Sequence, residues 1–395
     1  MKKLVLAYSG GLDTSYCLKS LSQQGYEVHA VSVNTGGFST EEINDQEKNA
    51  YAMGASTYRS INGLQPFYDK IVKYLIFGNV LKNNTYPLSV SAERIVQAIE
   101  IVEYAKQINA QYIAHGSTGA GNDQVRFDLI FQVLAPSIKI ITPIRDQQLS
   151  REAEIEYLQS KGINLSWEKA QYSVNQGLWG TSVGGKETLT SHQTLPESAY
   201  PSPLKEKSPK KIILEFKQGE LVALNGKKGS AIQLIQKLQE IAKNFAIGRE
   251  IHVGDTIIGI KGRVGFEAAA PMIIIKAHHL LEKHTQSKWQ QFQKEQMANF
   301  YGMQLHEGNY LDAVMRDIEA FLTSSQQTVN GEVYLTLHPY RFELEGVSSP
   351  NNLMNAYFGH YGEMNKGWTA DDAKGFIKIT ANAHKIYRSI NATKK

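Results

Sequence analysis

Apolar and polar positions follow two different rhythms along this chain, and the rhythm changes near its middle. In the first third, short apolar-rich runs of strand length are separated by longer stretches with helical periodicity. Leu4–Ala7, Val28–Val33, a segment near Ser56–Ile61, Tyr112–Ala114 and Ile138–Ile141 read as strands. Helices are expected up to about Gln24, over Thr40–Met53, from Ser91 to about Asn109, and from Ser150 onward. The longest of these places Ile95, Ile99, Val102 and Ala105 on one face. Strands alternating with helices predict a doubly wound parallel sheet in an α/β domain. Such sheets bind ligands beyond the carboxyl ends of their strands, which points to the loops at 8–15, 34–38 and 115–126.

From about Asn164 to Lys211 the pattern turns polar, and Pro196, Pro201, Pro203 and Pro209 predict an extended hinge. Beyond it, Ile212–Phe216 with Leu221–Leu224 reads as a hairpin around Gln218-Gly219, followed by a helix over Ser230–Ala246. Strands near Glu250–Val253 and Ile257–Ile260, helices over Met272–Tyr301 and Tyr310–Ser324, and a hairpin of Glu332–Leu337 with Arg341–Gly346 complete a second, α+β domain. A terminal helix over Asp371–Asn391 carries Phe376, Ile377, Ile379, Ile386, Tyr387 and Ile390, more apolar surface than a free tail needs. Docking on a neighbouring subunit is expected from it.

At 395 residues the chain is longer than the roughly 250–300 residues at which a single core stops growing, so more than one domain is expected. Its 42 Lys and Arg against 38 Asp and Glu leave a net charge of +4, with no basic run outside Lys205–Lys211, so no nucleic-acid partner is expected. No apolar run approaches the roughly 18 residues of a membrane span, and Leu4–Ala7 breaks too early for a secretory signal. A cytoplasmic enzyme with no membrane partner fits. Cys17, the single cysteine, excludes a disulfide framework or cysteine-rich metal site within one chain and reads as packing.

The most telling stretch is Ala7-Tyr8-Ser9-Gly10-Gly11-Leu12-Asp13-Thr14-Ser15, directly after the first strand. Glycines bring the backbone close to a ligand, and the helix that follows offers unpaired N–H groups and a positive dipole end to phosphate. Asp13 beside such a loop suits Mg²⁺, which takes carboxylate and phosphate oxygens together. The loop has neither the lysine nor the spacing of the G-x-x-x-x-G-K-[ST] loop, so nothing supports cleavage between the β- and γ-phosphates. An ordinary glycine turn is the plain alternative. The second stretch, His115-Gly116-Ser117-Thr118-Gly119-Ala120-Gly121-Asn122-Asp123-Gln124-Val125-Arg126-Phe127, adds an amide, a carboxylate and a guanidinium within five residues, a set suited to amino acids. A glycine turn leading into a surface helix with an Asp-Arg pair is its plain alternative.

Ser-Gly-Gly-x-Asp-x-Ser resembles the diphosphate-binding loop of the ATP pyrophosphatase superfamily, and the two stretches together closely resemble the argininosuccinate synthase family. The likeness extends through Gln24-Gly25-Tyr26, Tyr86, Ser91, Leu134-Ala135-Pro136, Trp167, Gly259-Ile260-Lys261 and Asp372-Ala373-x-Gly375-Phe376-Ile377. It implies a nucleotide-binding domain at 1–165, a synthetase domain at 166–367, a C-terminal oligomerisation helix at 368–395 and a homotetramer. It also implies condensation of citrulline and aspartate to argininosuccinate, with ATP cleaved to AMP and pyrophosphate through a citrullyl-AMP intermediate. Carried onto this chain, ATP contacts fall on Ala7, Tyr8, Ser9, Gly10, Gly11, Leu12, Asp13, Thr14, Ser15, Val33 and Gly116, with Asp13 toward Mg²⁺. Aspartate contacts fall on Thr118, Asn122 and Asp123, with Asp123 on the substrate ammonium; citrulline contacts fall on Tyr86, Ser91, Asn122, Arg126, Ser173 and Ser182. Asp13 and Asp123 are the residues expected to carry the chemistry.

The family pattern Val-Glu-Asn-Arg-x-x-Gly-x-Lys-Ser-Arg-Gly-x-Tyr-Glu reads here as Val253-Gly254-Asp255-Thr256-Ile257-Ile258-Gly259-Ile260-Lys261-Gly262-Arg263-Val264-Gly265-Phe266-Glu267. A glutamate and a tyrosine that contact citrulline are replaced by Gly254 and Phe266, with Asp255 as a neighbouring carboxylate. Another adenylating ATP pyrophosphatase acting on a related ureido or amide substrate, or an ATP-sensing module without turnover, remain open alternatives.

Overall fold

The computed structural model describes residues 2–163, 172–364 and 366–392; Trp167 lies outside them. β1 (Lys2–Ala7), β2 (Tyr26–Asn34), β3 (Thr57–Asn62), β4 (Tyr112–Ala114) and β5 (Lys139–Ile141) form one sheet, ordered β3-β2-β1-β4-β5. Every pairing in it is parallel, with Leu4 opposite Val28 on one side and Tyr112 on the other. Leu4, Val5 and Leu6 are fully buried, because helices cover both faces of the sheet. The strand order reverses between β1 and β4, and the chain ends of these two strands therefore open the crevice where doubly wound sheets take ligands.

Local chemistry explains the helix bounds. Thr40–Met53 is as expected: Ser39 and Glu42 form a capping box at its start, and Gly54, at φ 101°, ends it in the left-handed region. The long helix runs Ser89–Gln107 and is preceded by Leu88 at φ 61°, a conformation costing a branched residue roughly 1–2 kcal/mol. Complete burial of Leu88 and a Trp179 Nε1 hydrogen bond to the Pro87 carbonyl at 3.0 Å hold that turn. Cys17 is fully buried in the core beneath the first sheet, and burial pushes its thiol up.

The expected hinge is partly sheet. β6 (Ser173–Gly177) and β7 (Gly180–Gly184) form a hairpin inside it; β8 (Lys210–Lys217), β9 (Glu220–Leu224), β10 (Lys227–Lys228), β11 (Arg249–Asp255), β12 (Lys261–Glu267), β13 (Gly331–His338) and β14 (Arg341–Ser348) follow. They make two antiparallel sheets, ordered β11-β12-β7-β6 and β10-β9-β8-β13-β14. The strand expected at Ile257–Ile260 is instead the tip joining β11 to β12, where Ile258 and Ile260 are exposed. The single helix expected over Met272–Tyr301 is two, Ala269–Thr285 and Lys288–Glu307, because the Ser287 hydroxyl accepts from the Gln290 N–H and starts a new helix.

One apolar core runs from Val5 and Val31 through Ile95 and Val102 to Leu214 and Val333, so Met1–Pro350 forms one compact unit. Asn351–Lys395 is a second unit; in it the helix Ala370–Asn391, capped by Thr369 and Asp372, has Phe376, Ile379, Tyr387 and Ile390 exposed. No described helix is long and apolar enough to cross a membrane.

The β6–β7 hairpin closes on the first sheet through the loop after β2. Leu178 N–H donates to the Thr35 carbonyl at 2.9 Å, and a side chain on Gly37 would collide with the Gln176 carbonyl. Gly37→Ala is expected to lower stability by about 1–3 kcal/mol through this overpacking. Urea unfolding measures it; an unchanged midpoint at unchanged slope would show that the hairpin does not seat there.

Candidate functional site

A cleft of about 960 Å³ lies at the crevice, walled by the ends of β1, β2 and β4, the start of the helix Ser89–Gln107, the β6–β7 hairpin and the β11–β12 pair. The first loop forms one wall through Ala7, Tyr8, Ser9, Gly11, Leu12, Asp13 and Thr14, and Val33, near the end of the adjacent β2, also lines the cleft. Gly10, at φ 79°, and buried Ser15 stand behind this lining. A Cβ on Gly10 would lie 2.9 Å from Gln46 Cγ, and Gln46 in turn donates to the Ser9 carbonyl at 3.2 Å. The Thr14 hydroxyl donates to the Gly11 carbonyl at 3.2 Å. Gly11 is the N-cap of the helix Leu12–Gln23, and no side chain caps that end, which leaves its first N–H groups to an anion. Burial pushes the Tyr8 phenol up to about 12, so it is a neutral group beside the cradle.

The second loop is braced from below. Ser117 N–H donates to His115 Nδ1 at 3.1 Å, which leaves Nε2 to donate to Asp128 at 2.9 Å. The Gln124 amide donates to the carbonyls of Gly119 and Gly121 at 2.6 and 3.2 Å. A Cβ on Gly116 would lie 3.2 Å from the Asp13 carbonyl carbon and from Thr14 N, so the two loops touch where one of them has no side chain.

The amino-acid residues share the same cleft. Thr118, Asn122, Asp123, Arg126, Tyr86, Ser91, Ser173 and Ser182 all line it. Asp123 is tied by Arg94 Nε at 3.0 Å and Arg126 Nη1 at 2.7 Å. Burial opposes its ionisation, but the two guanidiniums outweigh that and hold the carboxyl below its usual range. Arg126 is 3% exposed, donates through Nε to the His306 carbonyl at 2.9 Å, and has no partner for Nη2 among the described residues. Asn122 Oδ1 accepts from Ile257 N–H at 2.9 Å and anchors the β11–β12 tip over the cleft. Ser173 and Ser182 stand on β6 and β7, with Ser182 opposite Phe266 of β12. Phe266 is fully buried beneath Tyr86, and Asp255 is exposed and paired with Lys261 at 2.6 Å.

Models of the arginosuccinate synthase N-terminal HUP domain and C-terminal domain match residues 3–164 and 172–387. The chain belongs to the argininosuccinate synthase family. The argininosuccinate synthase of Xanthomonas campestris pv. campestris is 35% identical over 99% of this chain and 99% of its own length. That of Methanocaldococcus jannaschii is 37% identical over 88% of each, and that of Sulfurisphaera tokodaii 34% over 95% and 96%.

Four groups in the cleft had no signal in sequence spacing: Glu93, Arg94, His252 and His306. Arg94 and Glu93 follow Ser91 on the same helix, and their chemistry is visible only once that helix end is placed in the cleft. Outside the cleft lining, Glu154 is buried under the first helix; burial and then the charge of Asp13 push its carboxyl up to about 8. Glu93 is 2% exposed, accepts from the Thr35 hydroxyl at 2.5 Å, and leaves no room for a side chain on Gly177. Burial pushes its carboxyl up to about 7 against the pull of Arg94 and Thr35.

A carboxyl raised in the folded state contributes its full stability below the unfolded value near 4.5 and loses it as pH rises through about 7. Glu93→Gln is therefore expected to leave stability unchanged at pH 4 and to raise it by about 3 kcal/mol at pH 8. Chemical denaturation across pH checks this; equal stabilities at pH 8 would show that Glu93 is ionised without cost.

Proposed function

We propose that the chain works as an ATP-dependent carbon–nitrogen ligase of the argininosuccinate synthase type, joining citrulline and aspartate with release of AMP and pyrophosphate. The observation that carries this is the meeting of two glycine loops in one cleft, with an uncapped helix start on one side and the Asn122, Asp123 and Arg126 set on the other. The volume of about 960 Å³ is at the upper end of ordinary ligand sites, as three substrates require.

In this reading the Ser9–Ser15 cradle holds the β,γ-diphosphate through backbone N–H groups, and the Thr14 hydroxyl joins them by turning its proton from the Gly11 carbonyl to a phosphate oxygen. The ureido oxygen attacks the α-phosphorus, pyrophosphate departs into the cradle, and the aspartate amine displaces AMP from the adenylated carbon. No protein nucleophile is needed, since positioning and charge stabilisation carry the barrier reduction. Arg126 Nη2 is the free donor for a substrate carboxylate. Asp123 would take an ammonium only by exchanging one guanidinium partner. Among the described residues no group of three or more metal-ligating side chains occurs, and a single carboxylate with phosphate oxygens is the donor set Mg²⁺ accepts. Asp13 would hold that ion, which neutralises charge on the leaving diphosphate.

The remaining assignments extend the same reading: division at 165 and 367, a homotetramer assembled through the exposed face of the terminal helix, and a cytoplasmic location. Light scattering of the purified chain is expected to give four copies, and Ile377→Asp with Ile386→Asp to give fewer; an unaltered mass for the double variant would place the interface elsewhere. With ¹⁸O in the ureido oxygen of citrulline, label is expected in AMP and absent from pyrophosphate. Label absent from AMP while argininosuccinate still forms would rule out the adenylated intermediate.

A further inference from the structure

The far end of the cleft is where this chain departs from its family, at Gly254 and Phe266. The space beside Gly254 is filled. A Cβ there would lie 2.6 Å from His252 Nε2 and 3.3 Å from Asn83 Nδ2, so an imidazole stands where an acidic side chain would have to begin. His252 is 5% exposed, stacks on Tyr86 with ring centroids 5.2 Å apart, and has no partner for Nδ1 among the described residues. Lys82 Nζ meets His306 Nδ1 at 2.9 Å, and the His306 carbonyl receives Arg126 Nε. His252, His306 and Arg126 all line the cleft.

One buried guanidinium and two imidazoles thus line this end of the cleft, with Lys82 behind them on His306. The two carboxylates at this end are engaged, Asp123 with Arg94 and Arg126 and Asp255 with Lys261, and Glu93 beside Arg94 takes the Thr35 hydroxyl. Neither Lys82 nor Glu307, whose charge acts on it, lines the cleft itself. An ammonium entering here would meet the Arg126 guanidinium, with the Lys82 charge close behind His306, and no free carboxylate at this end, which disfavours its charged form. A carboxylate or an acyl carbonyl would instead meet the unpartnered Nη2 donor of Arg126, and the neutral His252 ring can turn its N–H toward it by choice of tautomer.

We infer that this pocket selects a ureido acid whose α-nitrogen is uncharged, either acylated or absent, over the free citrulline zwitterion. The inference rests on the reading that the cleft adenylates a ureido oxygen. The chemistry at the ureido group is unchanged; what differs is the form of the substrate that fits behind it.

Pyrophosphate release by the full-length chain with ATP, Mg²⁺ and aspartate is to be compared for citrulline, N-acetylcitrulline and 5-ureidopentanoate. At least one of the last two is expected to show a kcat/KM tenfold or more above that of citrulline. His252→Ala combined with Gly254→Glu, which removes the imidazole and supplies a carboxylate, is expected to shift the preference at least tenfold toward citrulline. A wild-type advantage below tenfold, or a preference for citrulline, overturns the inference and leaves the ligase reading standing. An active double variant with unshifted preference overturns the assignment to this pocket. No pyrophosphate release with any of the three overturns the ligase reading as well.

Discussion

The cleft depends on one close approach of two main chains. β1 and β4 are neighbours in the sheet, and the loops leaving them would collide if both carried side chains; Gly116 removes the conflict and rests on the first turn of the helix Leu12–Gln23. Because strand order reverses there, the segments that follow diverge and leave a crevice between them. The hydrogen bond from Leu178 to Thr35 then fixes the β6–β7 hairpin across that crevice, and Asn122 fixes the β11–β12 tip over it. Two antiparallel strand pairs that are distant in sequence become walls of a site whose floor belongs to the parallel sheet.

Charge is sorted along this cleft. The first loop presents backbone N–H groups and one carboxylate, the middle holds Asp123 between two guanidiniums, and the far end is lined by His252, His306 and Arg126, with Lys82 behind His306. Asp123 makes the arrangement possible. Arg126 is almost completely buried, and a guanidinium in that position without a carboxylate would be costly to desolvate. Burial drives His252 to about 4 and His306 to about 3, with the neighbouring cations adding to the effect, so both imidazoles are neutral near pH 7.

The nucleotide end was legible in the sequence because its function is carried by backbone shape, and backbone shape leaves glycines at fixed offsets from a strand. Gly10 at φ 79° and Gly116 in contact with Asp13 and Thr14 are the residues whose pattern announced the cradle. The β11–β12 pair was legible only in part. Ile257, Ile258 and Ile260 look like a strand by composition, but they form an exposed tip held from outside by Asn122, a tertiary contact that overrides local propensity. The break at Gln286-Ser287 was hidden for the opposite reason: apolar periodicity continues through it, and a single hydroxyl cap decides where the chain turns. Glu93 is an acidic residue at an ordinary helical position until the hairpin and Thr35 close around it.

The two ends of the cleft differ in how they are specified, and this bears on how a member of the family can change substrate without losing its reaction. At the nucleotide end a side chain on Gly10 would be strained by its positive φ and meet Gln46, and one on Gly116 would press on the main chain of Asp13 and Thr14, so the geometry is held collectively by β1, β4 and the helix Leu12–Gln23. At the far end each contact is a separate side chain on β11, on the turn before the helix Ser89–Gln107, or near the end of the helix Lys288–Glu307. Exchanging an acidic residue for the Gly254 and His252 pair alters the charge of that end while the registers of β11 with β12 and of β12 with β7 stay intact. Selection of the ureido substrate is thereby separable from the adenylation machinery, because the former resides in rotamers and charges and the latter in the crossing of two loops.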